Sequence, residues 1–95
     1  MIWTMLRITV KKEAKKTRVL YLEGKICQKW IEELEAEIKR GLDKGEKIIL
    51  DFTKVGFIDG ETADMINRLP LQKVVKRNGS LFIRTMLKME NQEEK

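Results

Sequence analysis

The chain has 95 residues, 42% of them apolar, and its 20 lysines and arginines outnumber its 15 aspartates and glutamates for a formal charge of +5. That length suits one compact domain with a core of its own and is too short for a second. Cys27 is the lone cysteine and histidine is absent, which excludes an internal disulfide, the usual zinc ligand sets and hydrolysis through a Cys-His or Ser-His pair. No run approaches the roughly 18 apolar residues of a membrane span, and the start Met1-Ile2-Trp3-Thr4-Met5 lacks the basic region of a signal peptide. The expectation is a cytoplasmic chain.

Leu6, Ile8 and Val10 alternate with Arg7 and Thr9, the period-two signature of a strand with one wet face, predicted over Trp3 to Val10. Lys11 to Lys16 reads as a polar connection, and Thr17 to Glu23, built around Val19-Leu20-Tyr21-Leu22, as a second strand returning in a hairpin. After Gly24 the spacing changes. Ile26, Trp30, Leu34, Ile38 and Leu42 recur every four residues, widened by Cys27 and Ile31, which predicts an amphipathic helix with Trp30 in the core. Gly41 weakens its last turn, and Asp43-Lys44-Gly45 supplies the stop.

Lys47 to Phe52 reads as a central strand: Ile48-Ile49-Leu50 is a continuous apolar run of the kind covered on both faces, and it stops at Asp51. A solvent-facing loop is expected next. Asp59 then stands where a helix N-cap belongs, its carboxylate able to accept the amides of Glu61 and Thr62. The helix from Gly60 uses Ala63, Ile66 and Leu69 as its apolar side, meets Pro70, and continues its apolar face in Val74 and Val75. Asn78-Gly79 turns the chain into a last strand, Ser80 to Ile83, followed by one helical turn around Met86 to Met89. The predicted order is strand, strand, helix, strand, helix, strand, an α/β layer with helices on a small mixed sheet. It forms a single domain over residues 1–89, and Glu90 to Lys95, with no apolar residue, is expected to be a disordered tail.

Leu22-Glu23-Gly24-Lys25-Ile26, Ile48-Ile49-Leu50-Asp51-Phe52 and Val55-Gly56-Phe57-Ile58-Asp59-Gly60, in that order of elements, resemble the STAS domain of sulfate transporters and anti-sigma factor antagonists from about Leu6 to Leu87. The resemblance implies a non-enzymatic regulatory module without a cofactor. It would bind a serine kinase or an anti-sigma factor through the loop and the helix start, with Thr53, Asp59, Gly60, Glu61 and Thr62 as the partner-binding residues. Antagonists of this family are switched off by phosphorylation of a serine that follows the Asp, where a dianion enters the contact surface. Here that position is Gly60, which has no hydroxyl. Thr62 and Thr53 are the nearby hydroxyls, and each has a plainer role, Thr62 in a capping box and Thr53 as a turn residue bonding its own backbone.

Asp59 serves first as an N-cap, worth on the order of 1 kcal/mol, and Asp51 as a strand-end group tying down loop amides. A response-regulator receiver needs an acidic pair after its first strand to hold magnesium, whereas Val10 is followed by Lys11 and Lys12. A second reading of the resemblance is a sensory module holding a nucleotide, lipid or other anion at the helix start near Gly60. A third, a nucleic-acid binder, is disfavoured because the basic residues are scattered along the chain. Trp3, at the start of the first strand, has two readings, packing on the sheet or on a second copy of the domain, and a first strand at the sheet edge would favour a homodimer.

Overall fold

The computed structural model describes residues 6–70 and 72–89, so Trp3, the expected strand start and the tail from Glu90 lie outside the described residues. Four strands form one mixed sheet in the order β1-β2-β3-β4: β1 (Leu6–Ala14), β2 (Thr17–Ile26), β3 (Lys47–Ile58) and β4 (Val74–Arg77). β1 pairs antiparallel with β2, while β2 with β3 and β3 with β4 are parallel. Three α-helices accompany them among the described residues, α1 (Ile31–Asp43), α2 (Gly60–Asn67) and α3 (Leu81–Met86). The α/β architecture and the predicted alternation of elements are therefore present, with the closing helical turn lengthened into α3.

One hydrophobic cluster unites all three helices with a single face of the sheet. Leu20 and Leu22 of β2, Ile48, Leu50 and Phe52 of β3 and Val74 of β4 meet Leu34 and Ile38 of α1, Met65 and Ile66 of α2 and Ile83 of α3. Side chains alternate across a strand, so the intervening residues Val19, Tyr21, Ile49, Asp51, Val75 and Arg77 line the opposite face, which lies outside that cluster. Each large side chain fully buried there, Phe52 among them, contributes on the order of 2 kcal/mol. Lys76 fastens β4 to the helices by donating to the Leu87 carbonyl at 2.8 Å and Asn67 Oδ1 at 3.2 Å. Burial, with the like charge of Lys88, holds its ammonium below the usual lysine range.

Several boundaries differ from the sequence expectation. β1 runs on through Lys11 and Lys12 to Ala14, because polar side chains do not interrupt a backbone ladder at a sheet edge, and only Lys15-Lys16 turns. The four-residue apolar spacing begins in a strand: Ile26 is the last residue of β2, a 3-10 turn covers Gln28–Trp30, and α1 starts at Ile31. Strand end and helix feed the same core, so their apolar residues mimic one stripe. Trp30 takes the N-cap position and is only partly buried, with the Lys29 ammonium 5.7 Å from its ring centroid, rather than being a core residue.

The last strand is Val74–Arg77, not Ser80 to Ile83. Pro70 ends the helical path and the β-branched pair Val74-Val75 suits a pleated surface. Ser80 instead caps α3, its hydroxyl accepting from the Ile83 amide at 3.3 Å. A short apolar run such as Leu81-Phe82-Ile83 carries no periodicity that separates strand from helix.

Gly41 also has a role beyond weakening a turn. A Cβ at that position would collide with Ile48 Cδ1 and lie 3.2 Å from Arg18 Cδ. Next to it Glu46, 6% exposed, accepts from Arg18 Nε at 2.6 Å and Lys12 Nζ at 2.7 Å. The Lys12 and Arg18 hydrogen bonds outweigh burial and hold the Glu46 carboxyl below its usual value.

No described helix is long and apolar enough to cross a membrane. The exposed edge of the sheet at β1 carries Arg7, Lys11 and Lys12, charged residues that oppose edge-to-edge pairing.

Candidate functional site

Asp51 sits mid-strand on the face without helices and is 4% exposed. A buried carboxylate is tolerable only if its lone pairs are met, and here four donors converge. Oδ1 accepts the Thr53 amide at 2.9 Å and the Thr53 hydroxyl at 2.6 Å; Oδ2 accepts Arg77 Nε and Asn78 Nδ2, both at 3.0 Å. Burial alone would push this carboxyl up, but the Thr53, Arg77 and Asn78 bonds prevail and hold it below its ordinary value. Asn78 reaches Asp51 from a left-handed conformation, φ 64°, in the turn that leads to Gly79. The Arg77 guanidinium lies 5.9 Å from the Tyr21 ring centroid and donates to the Tyr21 hydroxyl at 3.4 Å.

The expected loop after Phe52 is strand. β3 continues to Ile58 because β2 extends alongside it, pairing Glu23 with Lys54, Gly24 with Val55, Lys25 with Phe57 and Ile26 with Ile58. Register shifts after Tyr21 and Gly24 bend this extension. Val55 and Ile58 turn into the core, leaving Thr53, Lys54, Gly56 and Phe57 exposed.

Asp59 ends the strand as the true N-cap of α2, with φ −88° and ψ 171°, and its Oδ1 accepts the Thr62 amide at 3.0 Å. Gly60 and Glu61 follow in the first turn, both exposed, and a Cβ at Gly60 would meet nothing within 4 Å. Thr62 is fully buried, and its hydroxyl finds no hydrogen-bond partner. Of the predicted site residues, Thr53, Asp59, Gly60 and Glu61 thus lie at or near the surface and Thr62 faces inward. At the start of α2 the Thr62 amide is already taken by the Asp59 carboxylate, and Glu61 adds a second acidic side chain in the first turn.

Sequence reasoning missed the aromatic partner of this segment. Phe82, at the start of α3, stacks on Phe57 with centroids 5.9 Å apart and planes inclined by 18°. The pair remains 41% and 45% exposed, and neighbouring Leu81 is 81% exposed. Read as strand residues, Leu81 and Phe82 gave no hint of this. The signal was Ser80, a helix-capping residue ahead of an apolar run. Among the described residues no group of three or more acidic, cysteine or histidine side chains is placed to hold a metal ion.

A family model described as the STAS domain matches residues 8–88. Among solved structures, the anti-sigma factor antagonist SpoIIAA in its unphosphorylated form superposes with a TM-score of 0.68 at 17% identity, over 86% of this chain and 78% of the other. No curated protein matches.

Proposed function

The chain belongs to the STAS domain family, and from that premise we propose that it is a non-enzymatic cytoplasmic regulator of the anti-sigma factor antagonist type. It binds a serine kinase or anti-sigma factor through the surface from Thr53 to the start of α2, with Asp59, Gly60 and Glu61 at its rim. Thr62 supports that surface from below. The observation that carries this reading is the stacked pair Phe57 and Phe82 with Leu81 beside them, large apolar side chains held in solvent two residues from the Asp59 cap. Aromatic side chains of this kind anchor protein interfaces when a partner covers them.

The module works without the serine switch. Gly60 offers no acceptor, the buried Thr62 hydroxyl is out of a kinase's reach, and the Thr53 hydroxyl is engaged by Asp51. Binding is tested by calorimetry with the purified chain and the kinases and anti-sigma factors encoded beside its gene. Saturable binding that disappears in a Phe57→Ala/Phe82→Ala variant is expected, with no phosphate incorporated from ATP by mass spectrometry. Failure to bind any of these proteins would overturn the antagonist role, and phosphate on Thr53 or Thr62 would overturn the missing switch.

A further inference from the structure

The face of the sheet turned away from the helices holds a cavity of about 380 Å³, within the size range of small-ligand sites. Thr9, Lys11, Tyr21, Glu23, Thr53 and Lys54 are among its walls. Register explains the gathering: Thr9 lies opposite Tyr21, and Tyr21 opposite Asp51, while the irregular pairing beyond Tyr21 sets Lys54 opposite Glu23.

The lining carries two lysines and two carboxylates, and the carboxylates have partners of their own. Asp51, in its floor, has both oxygens filled by Thr53, Arg77 and Asn78. Glu23 has Arg7 Nη1 at 4.0 Å. Lys11 and Lys54 have no carboxylate within ion-pair distance among the described residues. Arg77 is shared by Asp51 and Glu13, the latter at 3.7 Å, so the lining charges counted with their ion-pair partners leave one net positive charge, with Lys11 and Lys54 as the ammonium groups that lack a carboxylate, around a concave site that also offers the hydroxyls of Thr9 and Tyr21 as donors.

We propose that this cavity binds a small dianion of the phosphate or phosphomonoester class, held between Lys11 and Lys54. The site shares Thr53 and Lys54 with the edge of the proposed partner surface but uses neither Phe57, Phe82 nor the helix start at Gly60, so a titration with phosphate alone tests it separately from the antagonist reading. Lysine suits the role as a compact charge with three donors, and a dianion is the occupant whose charge equals that of the two lysines.

The test is a titration of the isotopically labelled full chain, followed by its amide resonances, with inorganic phosphate, with phenyl phosphate and with sodium chloride at matched ionic strength. Saturable shifts at Thr9, Lys11, Tyr21, Thr53 and Lys54 are expected with a phosphate compound and not with chloride. Saturation by inorganic phosphate identifies a free-anion site; saturation by phenyl phosphate alone identifies an organic ester. Lys11→Gln and Lys54→Gln, both at exposed positions, should each leave the melting temperature unchanged and weaken binding about tenfold. Shifts that stay linear with concentration, spread over all basic residues, or survive in the double variant would overturn the proposal.

Discussion

Arg77 and Asp51 are directly opposite one another across the β3–β4 pair and joined by an Nε to Oδ2 hydrogen bond of 3.0 Å on the sheet face that carries no helix. The bond ties the short last strand to the central one where no apolar cluster does so.

Removing the carboxylate should cost more than removing the guanidinium. Asp51→Ala strands the Thr53 amide, the Asn78 amide group and Arg77 together, a loss of about 2 kcal/mol. Arg77→Ala leaves Asp51 its Thr53 and Asn78 donors, and the Arg77 side chain is 33% exposed, so the loss is roughly 1 kcal/mol. Urea denaturation of both singles and the double variant measures the coupling. Strict additivity would mean that the pair contributes nothing of its own.

Acid should weaken the fold through two carboxylates. Asp51 and Glu46 titrate below their ordinary values of 3.8 and 4.5 in the folded chain. Above these values both are ionised in either state and their stabilisation is fully present. As the pH falls through them, the unfolded chain takes up protons that the folded chain refuses, and stability drops towards the depressed folded values. The melting temperature should hold steady down to about pH 5 and decline below it. In Asp51→Asn the decline should be shallower, and an unchanged slope would remove Asp51 from the account.

Two glycines should respond differently to alanine. Gly41→Ala gains helix propensity of up to about 1 kcal/mol, yet its methyl group enters the packed space of Ile48 and Arg18, where overpacking costs about 1 to 3 kcal/mol. A net loss of roughly 1 kcal/mol is expected. Gly56 has open space and no positive φ, so Gly56→Ala should leave the denaturation midpoint within error of the parent. Equal midpoints for Gly41→Ala and the parent would show that Ile48 repacks freely.

The vacant switch position should accept a hydroxyl. A side chain at Gly60 meets nothing within 4 Å, so Gly60→Ser should fold with stability equal to or about 0.5 kcal/mol above the parent. Exposed after an N-cap aspartate, the new serine should be phosphorylated by a partner kinase of this family, and the phosphorylated form should bind its partner more weakly. Mass spectrometry and calorimetry read both effects. Undiminished affinity after phosphorylation would show that the contact surface lies away from residue 60.

The aromatic pair should matter to binding and little to folding. Phe57→Ala and Phe82→Ala, alone, should each lower partner affinity at least tenfold, about 1.4 kcal/mol or more, while the melting temperature shifts by only a few degrees. Large destabilisation with unchanged affinity would reassign the pair to structure.

The sequence by itself determined what is local: the alternation of Leu6, Ile8 and Val10, the buried run Ile48-Ile49-Leu50, the Asp59 cap and the absence of a hydroxyl at Gly60 are all properties of neighbouring residues. Only the tertiary structure decided what depends on residues distant along the chain. Pairing with the end of β2 made a strand of the segment after Phe52, and pairing with β4 set Asp51 across from Arg77. Core packing buried Thr62, and the α3 start brought Phe82 onto Phe57, 25 positions away. Periodicity records which way a side chain faces but not what it faces, and hydrogen bonds between strands leave no trace in the order of residues.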